Sequence, residues 1–311
     1  MSYRNIALLG GTGFVGRQLA ARLAAGGRQV RVATRRLSHA QRLGTLGITI
    51  QSCDVHDPVQ LGHFLQGADA VVNLVGILHG GHGAPYGEAF ARAHVELPDK
   101  VAQSCQRLGI RRVLHMSALG ADPQGPSMYL RSRGDGEAAA LGARGIATTV
   151  FRPSVIFGPH DHLLSTFAQL QRRLPLIPLA MANARFQPIH VADVAQAFVN
   201  TLDMPGSAGR IYELGGPGIY TLAELVRAAG AFSGRQRPIW ALPTALARLQ
   251  AALMEHLPGP VLTRDNLDSM SLDSVLHAPL APELGLTPVS LEAAGPACFS
   301  GAGRVVRTVP R

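Results

Sequence analysis

The stretch Ile6-Ala7-Leu8-Leu9-Gly10-Gly11-Thr12-Gly13-Phe14-Val15-Gly16 decides the fold of this chain. Apolar residues of strand character run without a break into G-x-x-G-x-x-G, and from Phe14 to Ala25 the apolar positions recur at helical spacing. Strand, glycine turn and helix in that order open a βαβ unit, the context that a dinucleotide-binding turn requires. The three glycines meet different demands: a tight turn, close approach of backbone to a pyrophosphate, and close packing of helix on strand. N–H groups at the start of the helix then face the phosphates. Gly10, Thr12, Gly13, Phe14, Val15 and Gly16 are therefore the expected phosphate-binding residues.

Beyond this unit, strand-like runs recur from Val30 to Thr34, Ile48 to Gln51, Ala70 to Val75, Arg112 to Ser117 and Thr148 to Arg152. Segments of helical period separate them: Ser38 to Leu46, Pro58 to Gln66, Glu88 to Leu108 and Tyr129 to Ala143. Strands alternating with helices predict an α/β fold, a Rossmann-type doubly wound parallel sheet of six strands with five crossovers. After about Pro153 the rhythm loosens into proline-marked loops and isolated helices, from Leu163 to Arg173, Val191 to Leu202, Leu222 to Phe232 and Thr244 to His256. The expected division is an NADP(H)-binding domain over residues 1–153, with about 186–204 packing back on it, a smaller C-terminal α/β substrate lobe over 154–294, and a peripheral tail over 295–311.

Composition narrows the function classes. With 311 residues, 47% hydrophobic and 16% charged, the chain can bury a large core, which argues against disorder and fibre. Cys53, Cys105 and Cys298 form no C-x-x-C pair, so a disulfide scaffold and a zinc ribbon are excluded and a reducing compartment is expected. Met1-Ser2-Tyr3-Arg4 passes directly into a strand, and no apolar run approaches the roughly 20 residues of a membrane span. The expected location is the cytoplasm. The net charge of +9 comes almost wholly from arginine, because Lys100 is the single lysine. Those arginines are scattered, which predicts no nucleic-acid partner and suits an anionic cofactor or an anionic membrane surface. His79, His82, His160 and His162 lack further partners at ligand spacing, so no metal is expected.

The second strand ends in Thr34-Arg35-Arg36, where an acid would grip the ribose 2′-hydroxyl of NAD. Two arginines there neutralise a 2′-phosphate, so NADP(H) is expected over NAD(H). Asp54-Val55, after the third strand, is placed either to meet the adenine ring or to cap the next helix.

With these residues in view, the sequence resembles the extended or atypical short-chain dehydrogenases/reductases, which are NAD-dependent epimerase/dehydratase-like, over about residues 4–290. Asn73-Leu74-Val75-Gly76 is a further landmark beside the glycine turn and Asp54-Val55. His115-Met116-Ser117-Ala118-Leu119-Gly120-Ala121, the Tyr129 to Glu137 segment, Arg152 to Pro159 and Phe186 to Ala195 are similar to the branch holding the NADPH-binding accessory subunit of respiratory complex I and its bacterial relatives. The resemblance adds Leu74, Val75, Gly76, Arg152, Pro153 and Ser154 to the cofactor site, the last three as the loop covering the nicotinamide. It implies a catalytic group of Tyr129 as acid/base, Ser117 orienting the substrate oxygen, and the residue four after the tyrosine at the nicotinamide ribose. That residue is Arg133 here, where the family has lysine. The interval from Ser117 to Tyr129 is also short for an extended enzyme, which leaves open whether the two share a site.

The function implied is an NADP(H)-binding oxidoreductase-like protein with a degenerate Tyr-x-x-x-Arg motif, acting on or near a small carbonyl or quinone-type substrate. The alternative is a non-catalytic NADPH-binding assembly protein of a respiratory or quinone-related complex. Trp240, Leu242, Leu246, Leu249, Leu253 and Met254, with Arg235, Arg237 and Arg248 nearby, either meet a membrane or protein complex or form a helix closing the small lobe. The helical recurrence of the leucines favours the second.

Overall fold

A computed structural model of the chain describes residues 2–256 and 262–299. Its centre is a parallel sheet of β1 (Asn5–Leu9), β2 (Gln29–Thr34), β3 (Thr49–Ser52), β4 (Ala70–Asn73), β5 (Arg112–Met116), β6 (Ala147–Pro153) and β7 (Ile211–Leu214). Their spatial order is β7-β6-β5-β4-β1-β2-β3, the order of a doubly wound sheet that reverses beside β1. Ile6 pairs with Val30 on one side and Ala70 on the other, so the glycine turn leaves the sheet at this switch point.

Both faces of β1 are buried, and alternate residues feed two cores. Ile6 and Leu8 join Leu19 and Leu23 of α1 (Phe14–Ala25). Ala7 and Leu9 join Leu61, Phe64 and Leu65 of α2 (Pro58–Leu65) and Leu97, Val101 and Cys105 of α3 (Leu97–Leu108). α3 is preceded by a short turn, Glu88–Phe90, and a π-helical stretch, Ala91–Glu96. α4 (Met128–Leu141) follows β5, capped by the Ser127 hydroxyl, which accepts from the Leu130 N–H.

The six predicted strands all form. The seventh, β7, escaped sequence reading because its four residues lie between Gly209 and Gly215-Gly216 in a stretch that reads as loop. It adds to the sheet edge in register with β6, Tyr212 opposite Phe151.

The second lobe carries α5 (Leu163–Arg173), α6 (Val191–Leu202), α7 (Leu222–Phe232), α8 (Thr244–Met254), α9 (Arg264–Ser269) and α10 (Leu291–Phe299). Of these α6 returns to the sheet, where Val194 and Phe198 sit in the core shared with α1. Phe157, Leu164, Ala168, Leu222, Leu225 and Leu291 make the lobe's own core. α10 runs past Gly295, where the sequence places the start of a tail, because Leu291 is buried and Gly295 packs on the Phe232 ring. Residues 300–311 of that expected tail lie outside the described residues.

One expectation is reversed in α8. Its leucines do not close the lobe: Ala247 and Ala251 face inward onto Ala180 and Leu267, while Leu246, Leu249 and Leu253 are exposed. The small side chains let the helix sit close against its neighbour, which places the leucine face outside.

Candidate dinucleotide and catalytic site

Gly10 has φ +76°, a left-handed conformation that costs glycine nothing, and its carbonyl accepts from the Gly13 N–H at 3.0 Å. A Cβ on Gly16 would lie 2.3 Å from that same oxygen, so the third glycine is required by helix–turn packing. Gly13 caps α1 without a side-chain partner, and no acid stands in the helix's first turn. The exit from β1 is thus a backbone cradle with the positive end of α1 directed out of it. Arg17, which sequence reading passed over, donates through Nε to the Thr12 carbonyl at 2.8 Å and braces the turn. Phe14 packs toward Gly158 of the loop after β6.

Arg35 and Arg36 lie exposed beyond the end of β2, and the Thr34 hydroxyl, which accepts from the Arg36 N–H, fixes the turn that carries them. Asp54 does not cap α2; Asp57 does, accepting from Val59 and Gln60. The Asp54 carboxylate accepts from the His56 N–H and stands 3.7 Å from Arg92. Val55 packs on the core below. Leu74 and Val75 pass beside the turn, since a Cβ on Gly10 would meet the Leu74 carbonyl carbon at 3.0 Å.

Gly76 continues this wall toward Arg133: a Cβ there would fall 2.1 Å from Arg133 Nη2. Arg133 is buried on α4, donates through Nη1 to the Met116 carbonyl at 3.1 Å, and holds its guanidinium carbon 5.3 Å from the Tyr129 ring centroid. Met116 ends β5 and Ser117 follows it. The structure therefore sets Arg133 between the Tyr129 ring and the strand end that Ser117 follows. Two buried polar atoms here, Ser117 Oγ and Arg133 Nε, have no hydrogen-bond partner among the described residues. Each orphan costs about 1–3 kcal/mol unless a ligand satisfies it. Together with the glycine cradle, these orphans fit a polar ligand lying from the turn to the end of β5.

Behind Tyr129 stands His94, which sequence reading missed. Its Nε2 accepts from the Ile77 N–H at 3.0 Å, so Nδ1 carries the proton toward Ser132 Oγ at 2.8 Å, and that hydroxyl donates to the Tyr129 carbonyl. Burial, with Arg133 adding to it, pushes the His94 imidazole down to about 2, which keeps it neutral. The ring meets Tyr129 edge to face at 5.7 Å. A signal existed: Phe90, Ala93, His94, Leu97 and Val101 share one buried stripe, with a single polar side chain among them. Asp265 of α9, also missed, accepts from the Met128 and Tyr129 N–H groups, and desolvation raises its carboxyl above the ordinary range despite these donors.

In the loop predicted to cover the nicotinamide, the Arg152 and Ser154 side chains both have partners within the protein. Arg152 forms a two-pronged pair with Glu137 of α4, at 2.8 and 2.5 Å, and Glu137 is buried. An acid on the buried side of α4 takes the guanidinium before a ligand can. Ser154 Oγ donates to the Ser274 carbonyl at 2.6 Å and accepts from the Gln187 N–H, tying three segments of the lobe. Pro153 ends β6 in register with Leu214, its carbonyl accepting from Leu119. Asp161 is buried at the start of α5 and accepts from Leu164, and Asp193 accepts from the Val289 N–H.

A cleft of about 390 Å³ opens between the loop after β4 and α8–α9. Leu78, Gly80, Phe90 and Met128 give it an apolar side, and Asp265 and Arg264 a charged one. The Gly80 loop borders this cleft but is packed down, because a Cβ on Gly80 would enter the Phe90 ring.

Residues 6–215 match the model of the NAD dependent epimerase/dehydratase family. Among known proteins the chain is 30% identical over 304 residues to the mitochondrial NADH dehydrogenase [ubiquinone] 1 alpha subcomplex subunit 9 of Arabidopsis thaliana, covering 92% of this chain and 74% of that protein. It is 29% identical over 239 residues to the ceramide reductase of Caulobacter vibrioides, covering 76% and 73%. The crystal structure of gox2253 superposes with a TM-score of 0.74 at 21% identity, covering 96% of this chain and 99% of that one. The UDP-glucose 4-epimerase of Thermus thermophilus, in complex with NAD, gives 0.68 at 17% identity over 96% and 99%. These two carry the fold alone. The match from the glycine turn to the end of β7, on a sheet of this order, shows that the chain belongs to the NAD-dependent epimerase/dehydratase family.

Proposed function

We propose that the chain is a cytoplasmic NADP(H)-binding reductase of its family that acts on a carbonyl or quinone-type substrate. The observation that carries this reading is Arg133. Its buried guanidinium is held at the Met116 carbonyl beside Ser117 and lies over the Tyr129 ring. A fixed positive charge thus stands between the Tyr129 ring and the end of β5, where a doubly wound sheet binds its ligand.

The turn from Gly10 to Gly16 and the start of α1 hold the pyrophosphate, Arg35 and Arg36 the 2′-phosphate, and Asp54 the adenine amino group. Leu74, Val75 and Gly76 form the wall beside them. NADPH, when bound, supplies the hydride. Arg133 Nε supplies a hydrogen bond to a ribose hydroxyl, and Ser117 Oγ orients the substrate oxygen. Tyr129 delivers a proton to that oxygen as it is reduced, so one hydride and one proton leave an alcohol. Arg152 and Ser154 are positioning residues of the surrounding frame.

Stopped-flow fluorescence of NADPH bound to the protein, mixed with aldehydes, 3-oxoacyl compounds and quinones, tests this. Oxidation is expected with at least one class. Tyr129→Phe should abolish turnover and leave NADPH affinity unchanged; activity surviving that change would overturn the assignment. A second reading, a non-catalytic NADPH-binding subunit, draws on one observation: the guanidinium lies over the ring face, and among the described residues the Tyr129 hydroxyl makes no hydrogen bond. Tight NADPH binding with no oxidation across the panel would favour it.

A further inference from the structure

The cleft between the loop after β4 and α8–α9 has a charge balance that bears on its occupant. Three arginines line it, Arg131, Arg248 and Arg264, and so do three carboxylates, Glu255, Asp265 and Asp268. With histidine counted neutral, these formal charges cancel. The same groups are engaged with the protein. Arg264 donates to Glu255 through two nitrogens, and Arg248 to Asp268 at 3.1 Å. Arg131 donates through Nε and Nη2 to the Pro85 carbonyl, at 2.9 and 2.8 Å, and through Nη1 to the Gly125 carbonyl. Asp265 takes the Met128 and Tyr129 N–H groups. A nucleoside diphosphate would carry its negative charges into a cleft with no net charge to meet them, and would compete with carboxylates for every guanidinium that has one.

The apolar side of the cleft offers a different contact. Phe90 is buried, Met128 half-buried and Leu78 54% exposed, so apolar surface runs from the interior to the mouth. Its inner end adjoins Tyr129: the Phe90 and Tyr129 rings meet edge to face with centroids 6.1 Å apart, and Met128 precedes Tyr129 in the chain. An apolar strip graded from buried to exposed suits a flexible hydrocarbon chain with one end toward the tyrosine.

We infer that this cleft takes the hydrocarbon chain of an uncharged ketone, whose carbonyl is the group reduced at Tyr129. The inference rests on the reductase reading for the carbonyl and adds to it the class of substrate. The carbonyl carbon gains the hydride of NADPH and the oxygen gains the Tyr129 proton, leaving a secondary alcohol and NADP⁺.

The test is calorimetric titration of the full chain, in excess NADP⁺, with the methyl ketones from 2-pentanone to 2-undecanone and with UDP-glucose. Oxidised cofactor has no hydride to give, so binding is read apart from turnover. Affinity is expected to rise about fourfold with each added methylene, and UDP-glucose to bind more weakly than the longest ketone. Leu78→Asp alters a side chain already half in solvent, so thermal unfolding should not change. It should cut affinity for the longest ketone about tenfold and spare that for the shortest. Equal affinity along the series, a rise that Leu78→Asp leaves intact, or tighter binding of UDP-glucose than of any ketone would overturn the inference. Mixing the same ketones with NADPH-loaded protein separates it from the reading beneath it. Chain-dependent binding without NADPH oxidation supports the cleft assignment and overturns the reductase reading, whereas oxidation by short aldehydes with flat binding along the series does the reverse.

Discussion

The Asp265 carboxylate, on the C-terminal lobe, accepts the backbone N–H of Tyr129 at 3.2 Å. Its other oxygen takes the Met128 N–H at 2.6 Å, so the lobe caps the helix that carries the proposed acid/base. First-turn N–H groups have no partner within their own helix, and a carboxylate there also meets the positive end of the dipole. Asp265 and Met128 both line the cleft, so a substrate bound there would be coupled to the helix position through one side chain.

Asp265→Ala should therefore lower stability by about 1 kcal/mol, as loss of a helix cap does. KM for the substrate should rise more than kcat falls, because Tyr129 itself remains while its setting against the cleft loosens. Asp265→Asn, which keeps one acceptor oxygen, should recover part of both effects. Denaturant unfolding and steady-state kinetics of the two variants provide the check.

The pair of Arg152 with Glu137 separates frame from site. Glu137 is 4% exposed and Arg152 23%, so removing either partner strands a poorly solvated charge. Glu137→Ala and Arg152→Ala should each cost about 3–5 kcal/mol. Glu137→Leu/Arg152→Met should restore much of that, because no charge is then left buried. NADPH affinity of the double variant, measured by calorimetry, should match that of the parent. A large loss of affinity in a stably folded double variant would return Arg152 to the cofactor site.

The glycine turn was legible because its chemistry is local: strand, turn and helix follow one another in the chain, and each glycine is required by its own backbone. Tyr129 and Arg133 were legible because they stand one helical turn apart. Asp265 was not, because it reaches Tyr129 from 136 positions away, and no local pattern marks it. Glu137 shows what the Arg152 expectation left out. A motif names the residue that turns toward a ligand, but a buried acid on a neighbouring helix competes for the same guanidinium. α8 failed differently: periodicity marks an apolar stripe without saying whether the stripe or the alanines beside it face the core.

Two buried histidines set the acid limit of stability. Burial pushes His94 down to about 2 and His115 down to about 3, with Arg133 contributing to both. In the unfolded chain each titrates near 6.5. Below that pH the unfolded state binds protons that the folded state refuses, so their contribution is intact above 6.5 and is lost as pH falls toward the folded values. Each histidine should add about 1.4 kcal/mol of lost stability per pH unit between about pH 6 and pH 4. Urea titrations across that range measure the slope. His94→Gln should flatten it by one proton, and an unchanged slope would mean that His94 is not held neutral.

On the proposed reading cofactor choice rests on Arg35 and Arg36, which stand exposed just past the turn fixed by Thr34. No acid follows β2 to grip a ribose 2′-hydroxyl, whereas two guanidinium groups offer charge-assisted donors to a 2′-phosphate. Hydrogen bonds to charged groups contribute about 1.5–3 kcal/mol each, and exposure places these at the low end. Replacing both arginines with alanine should weaken NADPH binding about 100-fold while changing NADH affinity less than about threefold. Calorimetric titration of nucleotide-stripped protein with both cofactors reads the two numbers directly. Salt adds an independent check, since the NADPH advantage of the parent should shrink with ionic strength and that of the variant should not. Equal affinity for NADPH and NADH in the parent would remove the 2′-phosphate from the site, leaving the glycine turn and Asp54 to bind either dinucleotide.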